Sequence, residues 1–272
     1  MIITGASSGI GRALARQLAP RARALVLVAR RKDRLEALCG ELLAQRPKLE
    51  VRVFGCDVTD RGQAGAMLAS VEAELGGVDV LVNNAGFGDL GAFDLADWDK
   101  IERMIALNVT SLAWLTHRVL GGMVQRGRGG VINISSGFGL TFGPGLSAYV
   151  GTKHFVSAFT EGLRLDVAGT GVRVTQVCPG PVDTEFQDTV GNFTGQAVPG
   201  ALMISAERCA RAAIRGLDRN RALVVPGILM KILIFLGTTS PRWLLRLIYR
   251  PAARALRAKQ LALRAGGTSA ET

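Results

Sequence analysis

Histidine is nearly absent: 272 residues hold two, His117 and His154. Neither has a nucleophile and an acid arranged around it for a hydrolase triad, and His154 lies on a different helix face from Lys153. The four cysteines, Cys39, Cys56, Cys178 and Cys209, lack metal-ligand spacing, so no metal site is expected. No signal peptide precedes them, which predicts buried, reduced thiols in the cytoplasm. Aromatics are only 6% and no recognition motif is present, which argues against a nucleic-acid partner. No apolar run reaches the ~20 residues of a spanning helix, and the run that starts at Ile228 is broken by Lys231. Acids are scarce: 22 Asp and Glu face 33 Lys and Arg, for a net charge of +11. The excess is uneven. Residues 241–272 carry Arg242, Arg246, Arg250, Arg254, Arg257, Lys259 and Arg264 against the single acid Glu271, about half of the net charge.

Apolar residues and glycine are plentiful. At 48% hydrophobic the chain is not disordered, and its 34 glycines show no period, which excludes collagen. Short apolar runs alternate with stretches of helical spacing. Strands are predicted at Met1–Thr4, Ala24–Val28, Val51–Phe54, Val78–Val82, Val131–Ile134, Val172–Val177 and Ala222–Val225. Helices are predicted at Gly11–Ala19, Asp33–Gln45, Arg61–Leu75, Asp99–Gln125, Ala148–Ala168 and Ala206–Leu217. The strands are continuous apolar runs, as in a parallel sheet covered on both faces, so residues 1–225 read as one doubly wound α/β domain. Residues 180–203, rich in Gly, Pro, Thr and Asn, read as a lid loop. A helical extension is expected over 226–264 and a disordered tail over 265–272.

Three groups of residues point to chemistry. Thr4-Gly5-Ala6-Ser7-Ser8-Gly9-Ile10-Gly11 follows a strand and opens a helix. Its backbone amides, across Gly5, Ser7, Ser8, Gly9, Ile10 and Gly11, suit a pyrophosphate, although a purely structural turn has the same spelling. Ala29-Arg30-Arg31 ends the second strand without the acid that would bind a ribose 2′-hydroxyl. Given a dinucleotide there, Arg30, and more weakly Arg31, suits a 2′-phosphate and favours NADP(H) over NAD(H). Tyr149 and Lys153 lie four apart on one helix, where the lysine would lower the phenol's pKa. Ser136, at a strand end, could hydrogen-bond a carbonyl oxygen as charge develops on it. Taken singly, each of these residues has an ordinary packing or turn role.

In this order and spacing, TGASSGIG at 4–11, CDVTD at 56–60, NNAG at 83–86, Asn108, ISS at 134–136, YVGTK at 149–153 and PGPVDT at 179–184 resemble the short-chain dehydrogenases/reductases. The resemblance spans roughly residues 1–225. It implies a Rossmann-type fold with a seven-stranded parallel sheet, a nicotinamide dinucleotide and hydride transfer. Tyr149 would be the general acid in carbonyl reduction or the base in reverse. Lys153 would lower its pKa and hold the nicotinamide ribose, Ser136 would polarise the carbonyl, and Ser135 would be structural. Asn108 would hold a water linking Lys153 to solvent. Asp57 would bind the adenine amino group with Val58 beside it, and Asn84, Ala85 and Gly86 would pack near the adenosine ribose. Val182 and Thr184 would contact the carboxamide, with Pro179 at the same site. Only Met1 and Ile2 precede Ile3, fewer than the family has there, which would weaken the sheet centre.

The resulting expectation is an NADPH-dependent reductase of an apolar ketone or aldehyde. Phe138, Leu140, Phe142, Phe186 and Phe193 are candidates for its apolar walls or for simple packing. The alternatives are a silent NADP-binding sensor or scaffold and a peripheral membrane protein. From Arg242 the basic residues repeat every three or four positions. A helix on an anionic membrane surface and a packed helix with solvated arginines fit that stripe equally. A homo-oligomer, dimer or tetramer, would pair through the two longest helices unless the extension covers them.

Overall fold

The computed structural model describes residues 1–186, 190–191 and 200–267. Seven strands, β1 (Ile2–Thr4), β2 (Ala24–Ala29), β3 (Glu50–Gly55), β4 (Val80–Asn83), β5 (Gly129–Ile134), β6 (Val172–Val177) and β7 (Leu223–Val224), form one sheet. Its order is β3-β2-β1-β4-β5-β6-β7 and every neighbouring pair is parallel. The helices are α1 (Gly9–Leu18), α2 (Lys32–Gln45), α3 (Arg61–Leu75), α4 (Trp98–Ile105), α5 (Leu112–Gln125), α6 (Ser147–Asp166), α7 (Ala206–Asp218), α8 (Ile228–Thr239) and α9 (Arg242–Gly267). The chain reverses direction along the sheet between β1 and β4, and an open α/β sheet binds ligands outside the strand ends at such a point.

Side-chain alternation explains the unbroken apolar runs. Ile3, Leu25, Leu27 and Ile132 join a core with α1, α2 and α7. Their neighbours Ile2, Val26, Val28 and Val131 join a second core with α3, α5 and α6 on the opposite face. Despite its three residues, β1 is fully buried at Ile2 and Ile3. The terminal ammonium of Met1 extends the pairing by donating to the Ala24 carbonyl at 2.9 Å.

Two expectations are corrected. The single helix over 99–125 is instead α4, a π-helical turn at Ala106–Ser111, and α5. The wider turn carries Asn108, which is buried; such turns concentrate at functional sites. α9 runs to Gly267, past residue 265 where the tail is expected to begin. Residues 268–272 and Phe193 lie outside the described residues.

α8 and α9 bend by 115° at Ser240–Pro241, and no single helix among the described residues is long and apolar enough to cross a membrane. α8 lays Met230 and Ile234 on Gly137, and Met230 also on Gly180. α9 runs back along the strand-end side of the sheet. There Tyr249 meets the edge of Phe142 at 5.8 Å, and Leu256 closes over Gly145. Gln260 accepts from the Ala92 amide at 2.8 Å, Arg257 grips Asp94 with two bonds of 2.7 and 2.8 Å, and Arg264 donates to the Leu95 carbonyl.

Helix α1 crosses β1 with no room for a side chain. A Cβ on Gly11 would lie 2.2 Å from the Gly5 carbonyl oxygen and 2.6 Å from Asn84 Nδ2. Gly11→Ala should therefore cost about 3 kcal/mol through overpacking of backbone. Gly40, exposed in α2, has nothing within 4 Å of the place a methyl group would take, and Gly40→Ala should stabilise by about 0.5–1 kcal/mol. Thermal melts of the two variants should shift in opposite directions; equal shifts would refute the contact argument.

Candidate active site

The glycine turn is built from hydrogen bonds as much as from glycine. Thr4 Oγ1 donates to the Val82 carbonyl at 3.1 Å and accepts from the Asn84 and Ala85 amides at 3.0 and 3.1 Å. Asn84 Nδ2 returns to the carbonyls of Thr4 and Gly5 at 2.9 and 3.2 Å. Gly5 takes a φ of +65°, which a side chain would oppose. Ser8 precedes α1 but its side chain does not cap the helix. By contrast, Asp60 caps α3 and Ser205 caps α7. The first amides of α1 are thus left for an external anion, and the turn fits a dinucleotide pyrophosphate. Gly5-Ala6-Ser7-Ser8-Gly9 also spells the G-x-S-x-G pattern of a nucleophile elbow. Ser7 and Ser8 instead accept hydrogen bonds from Arg31, and both histidines are exposed on α5 and α6.

Of the two arginines after β2, Arg31 is the one on the turn. Its Nη2 lies 3.3 Å from Ser7 Oγ and 3.0 Å from Ser8 Oγ, although both arginines are exposed. Across the trough, Glu185 accepts from Arg31 at 2.8 Å and from Arg34. Glu185 and Arg34 escape a reading of the sequence, since nothing in one dimension pairs Arg31 with an acid 154 positions away. The segment from Pro179 to Phe186 forms a strap. The Pro179 carbonyl accepts from the Gly137 amide at 2.8 Å, Val182 bridges to Ile204, and Thr184 packs on Gly9. Phe186 tilts over the Tyr149 ring at 5.8 Å. The strap therefore reaches from the arginines to the tyrosine. Asp57 is turned back on Thr59, whose amide and hydroxyl it accepts at 2.9 and 2.7 Å, and Val58 is buried.

At the other end of the trough, α6 delivers Tyr149 and Lys153 on one buried face. Ser136 stands at the end of β5, where its Oγ accepts from the Phe138 amide at 3.2 Å. Ser135 ties the same strand end to α6 through the Lys153 carbonyl and Ser157 Oγ, both at 3.0 Å. Asn108 Nδ2 donates to the Phe87 carbonyl at 2.8 Å and to Thr152 Oγ1 at 3.1 Å, and its Oδ1 accepts from the Phe87 amide. Gly86 fits between Asn108 Oδ1 and Lys153 Nζ.

Burial pushes the Tyr149 phenol up to about 12, against the downward pull of a hydrogen bond from Ser136. Burial likewise brings Lys153 down to about 8. Lys153 Nζ donates to the Ile134 carbonyl at 3.0 Å and sits 5.9 Å from the Tyr149 ring centre, and burial is the largest effect on both groups. Burial also raises Cys56, Cys178 and Cys209, to about 11, 11 and 12, which makes them inert thiols; Cys39 is only half-buried.

A phosphate-binding turn at a parallel sheet's switch point, with a Ser–Tyr–Lys group at the strand ends, defines an NAD(P)-dependent oxidoreductase. A family model for short chain dehydrogenase matches residues 1–194, and the chain belongs to that family. It is 40% identical over 191 residues to sulfoacetaldehyde reductase 2 of Chromohalobacter salexigens, across 68% of this chain and 73% of that one. Among solved structures, a short-chain dehydrogenase from Sphingobium yanoikuyae in complex with NADPH is 36% identical, with a TM-score of 0.74 over 84% of this chain and 87% of the other. The bulky-bulky ketone specific alcohol dehydrogenase from Comamonas testosteroni is 29% identical, with a TM-score of 0.72 over 88% and 94%.

The lysine's low pKa has a consequence for stability. Between pH 8 and 10.5 the unfolded chain keeps the Lys153 proton while the folded protein releases it, so stability from this group rises with pH. Wild type should gain stability relative to Lys153→Met as pH is raised from 8 to 10, in paired urea melts. The raised cysteines are common to both proteins and cancel in the difference. Parallel profiles would contradict the assignment.

Proposed function

We propose that this chain is an NADPH-dependent reductase of ketones or aldehydes that carry an apolar body. The observation that carries the reading is the grouping of the buried Tyr149 and Lys153, on one face of α6, with the buried Ser136 just beyond the end of β5. A phenol near 12 holds its proton against neutral water but yields it to an alkoxide, whose conjugate acid is about as weak as water itself, ~15.7. When bound, NADPH would supply the hydride that turns the carbonyl into that alkoxide. Tyr149 then protonates the oxygen, giving the alcohol, and Ser136 hydrogen-bonds the same oxygen as its charge grows. Lys153 holds the nicotinamide ribose, and its ammonium favours the phenolate that remains. Asn108 relays the replacement proton through a water.

For the dinucleotide, Gly5, Ser7, Ser8, Gly9, Ile10 and Gly11 take the pyrophosphate on amides. Asp57 and Val58 take the adenine, Asn84, Ala85 and Gly86 back the ribose, and Pro179, Val182 and Thr184 face the nicotinamide. Arg31, with Arg30 beside it, takes the 2′-phosphate; the likeness to an NADPH-bound relative supports this choice over NADH. An apolar substrate is supported by Met230 and Ile234, which pack on Gly137 next to Ser136, and by the likeness to an enzyme specific for bulky ketones. The chain is further proposed to act in the cytoplasm as a homo-oligomer, a dimer or tetramer pairing through exposed apolar side chains of α6 such as Phe155 and Leu165. Residues 228–264 would meet a membrane surface.

Tyr149→Phe should lower kcat about 1000-fold on aldehydes and ketones of graded chain length, with NADPH affinity within a few-fold of wild type. Retained turnover would remove Tyr149 from the mechanism. Tight NADPH binding without turnover in wild type would leave a dinucleotide sensor in its place. Arg31→Ala should weaken NADPH about tenfold or more and leave NADH unchanged, as expected for loss of a charge-assisted phosphate contact. Equal losses for both dinucleotides would contradict the 2′-phosphate assignment.

A further inference from the structure

Apart from Lys231 and its last turn, helix α8 is apolar on every side, yet only one stripe of it is covered. Met230 and Ile234 face the domain, while Ile228 is 73% exposed and Phe235 64%. Leu229, Ile232, Leu233 and Leu236 are exposed as well, and Trp243 and Ile248 continue the apolar surface onto α9 at 66% and 59%. Isolated exposed apolar residues are ordinary, but a cluster of this size marks an interaction surface.

Charge decides what covers it. Residues 228–267 contain eight lysines and arginines and no aspartate or glutamate. The arginines divide by role. Arg257 and Arg264 fasten α9 to Asp94 and Leu95. Arg242, Arg246, Arg250 and Arg254 recur every fourth residue and form no ion pair among the described residues. A second copy of this segment would bring a like-charged surface against it. An anionic phospholipid surface neutralises the arginines while its acyl boundary takes the apolar side chains, and long basic side chains reach headgroups from such a position.

We infer that the α8–α9 face docks on an anionic phospholipid bilayer, and that the carbonyl substrate reaches Tyr149 from that bilayer. The second half rests on the reductase reading; the first does not. The inner stripe of α8, Met230 and Ile234, packs on Gly137 next to Ser136 and is the reverse of the docking face, so a docked molecule holds that side of the domain at the membrane.

The test is cosedimentation of the full chain with vesicles of phosphatidylcholine alone and of phosphatidylcholine mixed with phosphatidylglycerol. Binding should appear on the mixed vesicles only and weaken with salt. It should fall at least about tenfold in Phe235→Glu with Trp243→Glu, and in Arg242→Gln with Arg246→Gln and Arg250→Gln. Both sets should reduce a short, water-soluble aldehyde at the wild-type rate. Wild type alone should show a lower KM for a long-chain aldehyde carried in mixed vesicles than in neutral ones. No binding, or equal binding to both vesicle types, overturns the docking surface. So does a wild-type dimer that Phe235→Glu with Trp243→Glu splits, since the face would then belong to a second copy. Intact vesicle binding with no turnover on any aldehyde overturns only the delivery of substrate, and with it the reductase reading.

Discussion

The junction between β1 and β4 is the constraint on which the rest of the molecule depends. Thr4 Oγ1 uses its proton on the Val82 carbonyl and its lone pairs on two amides beyond β4, so both strand ends are fixed at one height. Asn84 closes the same knot from the other side, on the carbonyls that lead into the glycine turn. With Gly5 and Gly11 touching backbone directly, the turn has one position open to it, and the amides of α1 point where that position dictates. Arg31 from beyond β2 and Thr184 from the strap are both set against this turn. Losing the Thr4 hydroxyl would leave the part-buried Ala85 amide without an acceptor, at a cost of about 1–3 kcal/mol, while the Asn84 amide keeps the Val82 carbonyl at 3.1 Å.

A second constraint sets the height of α6, and therefore of Tyr149. The C-terminal halves of β4, β5 and β6 carry polar residues on an otherwise apolar sheet. Asn83 donates to Asn133 and Thr116, Asn133 to Thr160, and Gln176 to Ser157. Thr160 and Ser157 are on α6, so these bonds pin the helix to the sheet at a defined register. Buried polar groups demand partners, and a one-turn slip of α6 would orphan several at once. The phenol and the ammonium are held by that register rather than by each other. Their pKa values move toward the neutral forms because the surroundings that fix them also exclude water.

Much of this was legible in the sequence. The runs at Val26–Val28 and Val172–Val177 announce strands buried on both faces, and the helix expected over Arg61–Leu75 is found with those bounds. The i, i+4 spacing of Tyr149 and Lys153 puts them on one helix face, as found. What was not legible depends on distance through space. Arg31 rather than Arg30 turns onto the glycine loop because Ser7 and Ser8 stand there, 24 and 23 positions away. Glu185 has no local pattern that pairs it with α2. The π-helical turn at Asn108 defeats periodicity, since an extra residue in one turn leaves the apolar spacing on either side intact. Helical spacing likewise fixes neither where Lys153 Nζ points nor how dry the place is, and here it donates to the Ile134 carbonyl in a buried setting.

The match to the dehydrogenase family ends at residue 194, short of α7, β7, α8 and α9. The glycine turn and the Ser136–Tyr149–Lys153 group lie inside that boundary, while Met230, Ile234 and the whole of α9 lie outside it. Chemistry and its surroundings thus come from different parts of the chain. A helix needed only as a wall could be polar on its outer side, as α7 is with Arg208, Arg211 and Arg215 exposed or half-exposed around it. α8 instead carries leucine, isoleucine and phenylalanine outward, where each would lie in water at a cost of about 25 cal/mol per Å² of exposed apolar area. Packing on the domain accounts for one stripe of α8 and leaves the others unexplained. A second apolar phase on the outer side accounts for both, and the acid-free basic run of α9 specifies the charge of that phase.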